Sequence, residues 1–200
     1  MMEKRSLIDP GFFGTSSDNI VVLNDFIDKK DLKTIQDFCP TITKFEQIPG
    51  DNWDNRVCSP NLLFEESESI SSLLRSYQNK LKSKIESHFN LTLHPNVVSI
   101  VVWRPGDGQL PHADKQLNDG SPNSYPENDI ASLMYLTDDY TGGEIYFPDH
   151  NLSLRPKAGS AVFFPGDIHY LHGVTAVTEG LRFTSPAFWT VKELGSSTSQ

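Results

Sequence analysis

Apolar and polar positions change their rhythm near Pro95. Before it, Ile20-Val21-Val22-Leu23 reads as a strand, and Leu32, Ile35 and Phe38 then recur at helical spacing until Pro40 stops the pattern. Asp28 is placed as the N-cap of that helix, with Asp31 in its first turn. A second helix is predicted from about Ser67 to Phe89, where Ile70, Leu73, Leu74, Tyr77, Leu81, Ile85 and Phe89 share one face. Arg75, Lys80, Lys82, Lys84 and Glu86 fall between them and make a solvated face. Residues 41–63, punctuated by Pro49-Gly50, Asp51, Asn52, Asn55 and Pro60, read as an extended loop or short strands.

After Pro95 the pattern predicts strands: Val97 to Arg104, Ile130 to Leu136, Gly143 to Phe147, Leu152 to Leu154, Ser160 to Phe164, Leu171 to Val177 and Leu181 to Trp189. Short strands at close spacing, separated by Gly, Pro and Asp, suggest an antiparallel sandwich, jelly roll or barrel. The expected class is α+β, mainly β, with two helices first and a β core second. Residues 1–18 are expected to be flexible, 19–194 to form a single domain and 195–200 to be a disordered tail. The segment Lys115 to Asp129 carries no helix or strand signal, and a loop of that length is uncommon unless it is functional or mobile.

Composition narrows the function classes. Lys and Arg number 17 against 26 Asp and Glu, a net charge of −9 over 200 residues. That balance disfavours a protein built to grip a phosphate backbone. The 37% hydrophobic content is enough for a real core. Two cysteines, Cys39 and Cys58, cannot staple a disulfide-dense scaffold and fit a reducing compartment, although a single bridge stays open. The start MMEKRSLIDPGFFG has no apolar run after its charges, and no segment approaches the ~20 apolar residues of a membrane helix. A soluble, cytoplasmic protein without a membrane partner is the expectation.

Two stretches carry chemistry. In His112-Ala113-Asp114, side chains at i and i+2 of an extended segment converge on one side, which supplies two-thirds of a facial metal site. Near the C-terminus, His172-Gly173-Val174 precedes Thr178-Glu179-Gly180 and then Leu181-Arg182. Read as a hairpin with a three-residue loop, Val177 faces Leu181 and Ala176 faces Arg182. His172 and Arg182 then share a face, with rows separated by on the order of 13 Å. His169 is the rival of His172, and His150 lies in a Pro-Asp-His turn.

Four stretches in order resemble a known family. Trp103-Arg104-Pro105-Gly106 with Pro111-His112-Ala113-Asp114 resembles the iron-binding segment of the prolyl 4-hydroxylase-like 2-oxoglutarate/Fe(II) oxygenases. Met134-Tyr135-Leu136-Thr137 with Thr141-Gly142-Gly143-Glu144-Ile145-Tyr146-Phe147 is similar to that family's strand–turn–strand. Leu154 to Phe164, and His172-Gly173-Val174 with Gly180-Leu181-Arg182, resemble its distal half, and Ile20 to Phe38 resembles the start of such domains. The resemblance covers about residues 20–190.

The resemblance implies a double-stranded β-helix, or jelly roll, with N-terminal supporting helices. It implies that His112, Asp114 and His172 are the two-histidine, one-carboxylate ligands of Fe(II), leaving three coordination positions open. Arg182 would pair with the distal carboxylate of 2-oxoglutarate, Tyr135 would hydrogen-bond the same carboxylate, and Thr184 would assist. Trp103 stands where many relatives carry tyrosine and is read as pocket wall. The implied reaction couples decarboxylation of 2-oxoglutarate by O2, giving succinate and CO2, to hydroxylation of an unactivated C–H, with ascorbate as an accessory cofactor. The implied substrate is a proline-containing peptide or protein, bordered by roughly Phe45 to Leu63 and by Lys115 to Asp129 with its Tyr125 and Pro126. Arg56-Val57-Cys58-Ser59 is only loosely similar to an Arg-containing motif of collagen-type prolyl hydroxylases. A monomer is the default expectation.

Two alternatives remain at this point. One is an oxygenase of the same class acting on a non-peptide substrate. The other is a non-catalytic jelly-roll module holding a ligand or a structural Zn(II). The latter needs a fourth ligand, and His169, three residues from His172 on a strand, would point to the opposite face.

Overall fold

Phe183 and Trp189 leave their strand toward one side and Arg182 and Thr184 toward the other, and this alternation divides a hydrophobic core from a polar pocket. The computed structural model describes residues 6–195. Strand β1 (Val21–Leu23) leads to helix α1 (Lys29–Phe38). Asp28 occupies the N-cap position but its side chain does not cap. It turns with Asp31 toward Tyr77, whose hydroxyl donates to Asp31 Oδ2 at 2.6 Å and accepts from the Asp28 amide at 3.1 Å. Strand β2 (Val57–Cys58), helix α2 (Pro60–Glu66) and helix α3 (Glu68–Phe89) follow.

Helix α2 replaces the end of the expected loop. Ser59 holds its N-cap position and Pro60 its first turn, where the missing N–H would have had no helical partner. In α3, Ser67 Oγ accepts from the Ile70 amide at 3.3 Å, and Asn90 in the left-handed region (φ 51°) ends the helix. Ile70, Leu74, Tyr77, Leu81 and Ile85 are buried along one stripe. Each such side chain contributes about 1.5–3 kcal/mol when fully buried.

The remaining strands are β3 (Leu91–Leu93), β4 (Ile100–Trp103), β5 (Gln109–His112), β6 (Ile130–Tyr135), β7 (Thr141–Gly142), β8 (Ile145–Phe147), β9 (Leu152–Leu154) and β10 (Ala161–Pro165). After them come β11 (His172–Val174), β12 (Val177–Glu179), β13 (Arg182–Trp189) and β14 (Val191–Leu194). The larger sheet has the order β1-β10-β6-β13-β4-β2 and the smaller one β5-β11-β8-β9, with β12-β7 and β14-β3 as minor pairs. One face of the larger sheet, including Ile130, Met134, Phe163, Phe183 and Trp189, packs on Ile35, Leu74, Leu81 and Ile85 of the helices. Its other face, with Ala131, Tyr135, Val162 and Phe164, meets Ile145 and Phe147 of the smaller sheet. The result is a jelly roll of two facing antiparallel sheets with helices supporting the larger one.

Two expectations are corrected. The hairpin between residues 171–177 and 181–189 does not form. Strand β11 pairs with β5 and β8, β12 with β7, and β13 lies between β6 and β4 in the other sheet. His172 and Arg182 still face one inter-sheet space. Val174, which shares the His172 side of β11, packs with Val101 and Trp103, the partners of Thr184 and Arg182 in β4. The N-terminal segment, expected to be flexible, is docked at single residues within 6–18, while most of that span stays exposed. Ile8 is buried, Phe13 lies 4.5 Å from the Phe89 ring, and the Gly11 amide donates to Asp167 Oδ2 at 2.8 Å. Ile8 and Phe13 reach the core, while Leu7 and Phe12 stay exposed. Residues 1–5 and 196–200, the rest of that segment and most of the expected disordered tail, lie outside the described residues. Among the described residues no helix is long and apolar enough to cross a membrane.

Candidate metal and cosubstrate site

Pairing of β5 with β11 sets His112 directly opposite His172. Their ring centroids lie 4.4 Å apart. Asp114 follows His112 by two residues and places Oδ1 3.7 Å from His112 Nε2 and Oδ2 3.7 Å from His172 Nε2. One ligand atom from each residue lies within 4.8 Å of the others. Among the described residues no fourth His, Cys, Asp or Glu joins them, and His169 is exposed away from the cluster. A three-ligand set of two imidazoles and one carboxylate suits a divalent metal with open positions and not a closed structural zinc site.

The backbone fixes which nitrogens face the centre. His112 Nδ1 lies 3.0 Å from the Leu110 carbonyl oxygen and His172 Nδ1 lies 3.1 Å from that of Tyr170. A carbonyl only accepts, so both Nδ1 atoms carry the proton and both Nε2 lone pairs point at Asp114. Burial, then the neighbouring His172, lowers the His112 pKa, and burial pushes His172 down to about 4. Both imidazoles are therefore neutral near pH 7, the form that binds a metal. Burial pushes the Asp114 carboxyl up to about 6, against the pull of His112. Its Oδ2 has no hydrogen-bond partner among the described residues. A buried carboxylate oxygen left bare between two imidazole lone pairs fits a cation. Phe164 packs edge-on against His172 with ring centroids 4.5 Å apart, and Phe147 lies 5.8 Å away, so the inner side of the cluster is dry.

A second polar group lies on the facing sheet. Arg182 is fully buried opposite Trp103, and Thr184 is buried opposite Tyr135. Arg182 Nη2 donates to the Tyr135 hydroxyl at 3.3 Å. Its Nε and Nη1, together with Trp103 Nε1 and Thr184 Oγ1, have no partner among the described residues. Unpaired donors around one buried guanidinium make a receptor for a carboxylate. The guanidinium carbon sits 5.3 Å from the Trp103 ring centroid and 5.1 Å from that of Tyr135, so two rings hold the fork in place. Gly143, at φ +68°, backs Arg182 so closely that a Cβ there would meet Arg182 Cδ at 2.9 Å.

The six site residues named from the sequence fall into these two groups: His112, Asp114 and His172 in one, Arg182, Tyr135 and Thr184 in the other. Two further residues went unread. The sequence marks Trp103 only as pocket wall, whereas its buried Nε1 is a donor without a partner among the described residues. Tyr140 came from an unmarked loop, and its buried hydroxyl is raised in pKa by burial against the pull of Arg182.

A jelly roll with an open His–Asp–His set and, on the facing sheet, a caged arginine with unpaired donors has the residues to hold a divalent metal beside a small carboxylate. Residues 98–190 match the family model of the 2OG-Fe(II) oxygenase superfamily. That superfamily uses Fe(II), 2-oxoglutarate and O2. The chain is 26% identical over 187 residues to human prolyl 3-hydroxylase 2, covering 74% of this chain. It spans about a quarter (26%) of that protein's length. A Pseudomonas putida prolyl-4-hydroxylase shares the fold with a TM-score of 0.64 at 15% identity, covering 87% of this chain and 93% of that one. A Trichoplax adhaerens prolyl hydroxylase, solved with a hypoxia inducible factor peptide fragment, gives 0.61 at 15% identity, covering 87% and 84%.

Proposed function

We propose that this chain is an Fe(II)- and 2-oxoglutarate-dependent dioxygenase that hydroxylates a prolyl residue in a peptide or protein. The observation that carries the proposal is the bare Asp114 Oδ2 between two neutral imidazoles, joined on the facing sheet by a buried Arg182 whose Nε and Nη1 have no partner among the described residues. Iron and 2-oxoglutarate, when bound, supply oxidation of the C–H bond, with succinate and CO2 as coproducts. His112, Asp114 and His172 would hold the metal. Arg182 would take the distal carboxylate of 2-oxoglutarate, with Trp103 Nε1 and Thr184 Oγ1 as further donors and Tyr135 fixing the guanidinium. Val174, Val177, Tyr140 and Trp103 pack together beside this pair and exclude water from the carboxylate.

Support for a prolyl substrate comes from two directions. The similar proteins named above act on proline, and Trp53, half-buried, packs edge-on against Trp103 at 5.7 Å to present aromatic surface beside the pocket. Flat rings of this kind suit a proline ring. The segments Phe45 to Leu63 and Lys115 to Asp129 would border the peptide. The net charge of −9 disfavours a nucleic-acid substrate. Monomeric, cytoplasmic action with ascorbate as accessory cofactor completes the reading; for the compartment, the two buried free cysteines suit a reducing environment.

The test is incubation of the full chain with Fe(II), 2-oxoglutarate, O2 and proline-rich peptides, measuring succinate and peptide mass together. One added oxygen per succinate, lost in His112→Ala, supports the proposal. Succinate without oxygenated peptide across the panel points to a non-peptide substrate. Sequence likeness to a prolyl 3-hydroxylase and fold likeness to a prolyl 4-hydroxylase make the oxidised carbon a further readout, resolved by amino-acid analysis of the product.

A further inference from the structure

Lys115 follows Asp114 directly and is 4% exposed. Its ammonium donates to Asp129 Oδ1 at 2.7 Å, to the Ile8 carbonyl at 3.1 Å and to Ser6 Oγ at 3.4 Å, which uses all three of its protons. Asp129, 1% exposed, is equally filled: Oδ1 also accepts from Ser6 Oγ at 2.6 Å, and Oδ2 accepts from the Val191 amide at 2.8 Å. The main chain closes a ring around this pair. The Asp114 and Lys115 amides both donate to the Gly166 carbonyl, at 2.9 and 3.1 Å, and the Gly166 amide donates to the Asp129 carbonyl at 2.9 Å. Gly166 has no room for a side chain, since a Cβ would lie 2.3 Å from the Asn128 carbonyl oxygen.

A second tie runs to the other strand of the centre. The Gly11 amide donates to Asp167 Oδ2 at 2.8 Å, while Asp167 Oδ1 accepts from the His169 amide at 3.0 Å in the turn that leads to His172. Residues 6–11 thus press on both the Asp114 and the His172 sides of the site. Burying an ammonium is unfavourable even when it is paired, and an apolar chain of the same length would fill the space. What the ion pair adds is direction: it fixes where the chain carrying Asp114 sits.

We propose that Lys115 is a positioning residue for the metal centre. By joining Asp129 to residues 6–8, it holds Asp114 at the spacing from His112 and His172 that metal capture requires. Docking of residues 6–11 and metal affinity are then coupled, and the coupling runs both ways. The proposal rests on the reading of His112, Asp114 and His172 as the metal ligands.

Co(II), whose visible bands report coordination, serves as the probe with the full chain. Lys115→Met, which keeps length and loses charge, should weaken Co(II) binding by about 10-fold or more and alter the bands. Leu74→Ala, a destabilising change in the helical core, should leave Co(II) affinity unchanged, so a general loss of stability is separated from positioning. On the unmodified chain, hydrogen exchange with and without Co(II) should show slowing at residues 6–14 together with 110–116. A folded Lys115→Met protein that binds Co(II) within twofold of the unmodified chain overturns the proposal. If that variant does not fold, exchange decides: slowing at 110–116 without slowing at 6–14 overturns it. Failure of the unmodified chain to bind Co(II) removes the metal reading instead, a separate result.

Discussion

Arg182 stands directly across from Trp103 on adjacent antiparallel strands, its guanidinium carbon 5.3 Å from the indole centroid, with Nε and Nη1 unpaired among the described residues. A fork held by ring faces and left with two free donors is preorganised for one carboxylate.

Arg182→Ala should therefore weaken 2-oxoglutarate binding by roughly 100-fold, the loss of two hydrogen bonds to a charged group at about 1.5 kcal/mol each. Metal affinity should hold, because His112 and His172 lie on other strands and Asp114 in the bend that follows β5. Calorimetric titration of each ligand separately checks both halves.

Gly143→Ala tests the same fork from behind. The residue sits at φ +68°, where a side chain is strained, and its Cβ would press Arg182 Cδ at 2.9 Å. A severalfold rise in KM for 2-oxoglutarate, larger than the change in kcat, is expected from steady-state kinetics. Unfolding should show a loss of about 1–3 kcal/mol from the strained backbone.

The long-period patterns were legible in the sequence and the strand partners were not. Helix α3 was readable because Ile70, Leu74, Tyr77, Leu81 and Ile85 repeat at one period within a helix of 22 residues. Helix α2 was missed because its apolar residues, Leu62-Leu63-Phe64, are contiguous, although Ser59-Pro60 marks its start. Strands β3 and β14 are short and pair across about a hundred residues, which no local pattern reports. The hairpin error has the same origin. Residues 171–177 and 181–189 fit a tight turn locally, but β11 and β13 find partners in different sheets. His172 and Arg182 meet because those sheets face each other. Lys115 and Asp129 left no trace, since a polar loop gives no sign that one of its lysines is buried.

Removal of the metal should lower stability as well as activity. Chelation should abolish succinate formation, and Fe(II) added back should restore it. At a metal concentration of 100 Kd the bound state gains about 2.7 kcal/mol over the free chain, visible as a rise in Tm. Scanning calorimetry with and without metal measures it.

The buried thiols give a pH dependence. Burial, then Asp139, pushes the Cys39 thiol up to about 12, and burial, then Glu66, does the same for Cys58. The folded chain thus holds these protons more tightly than the unfolded chain, whose thiols titrate near 9.0. Their contribution is complete below pH 9 and is lost as pH rises from 9 toward 12. By pH 10 the loss is on the order of 1 kcal/mol per thiol. Denaturant midpoints from pH 8 to 10.5 should fall with a slope that shrinks in Cys39→Ala, and thiol reagents should label neither cysteine before unfolding.

The central claim is that one pocket holds the metal on one sheet and the cosubstrate on the other. Anaerobic titration of the chain with Fe(II) and then 2-oxoglutarate, followed by visible absorption, tests it most directly. The expected result is a metal-to-ligand charge-transfer band that is absent in His112→Ala and needs far more 2-oxoglutarate in Arg182→Ala. No band at saturating iron and cosubstrate, or a band indifferent to both substitutions, contradicts it.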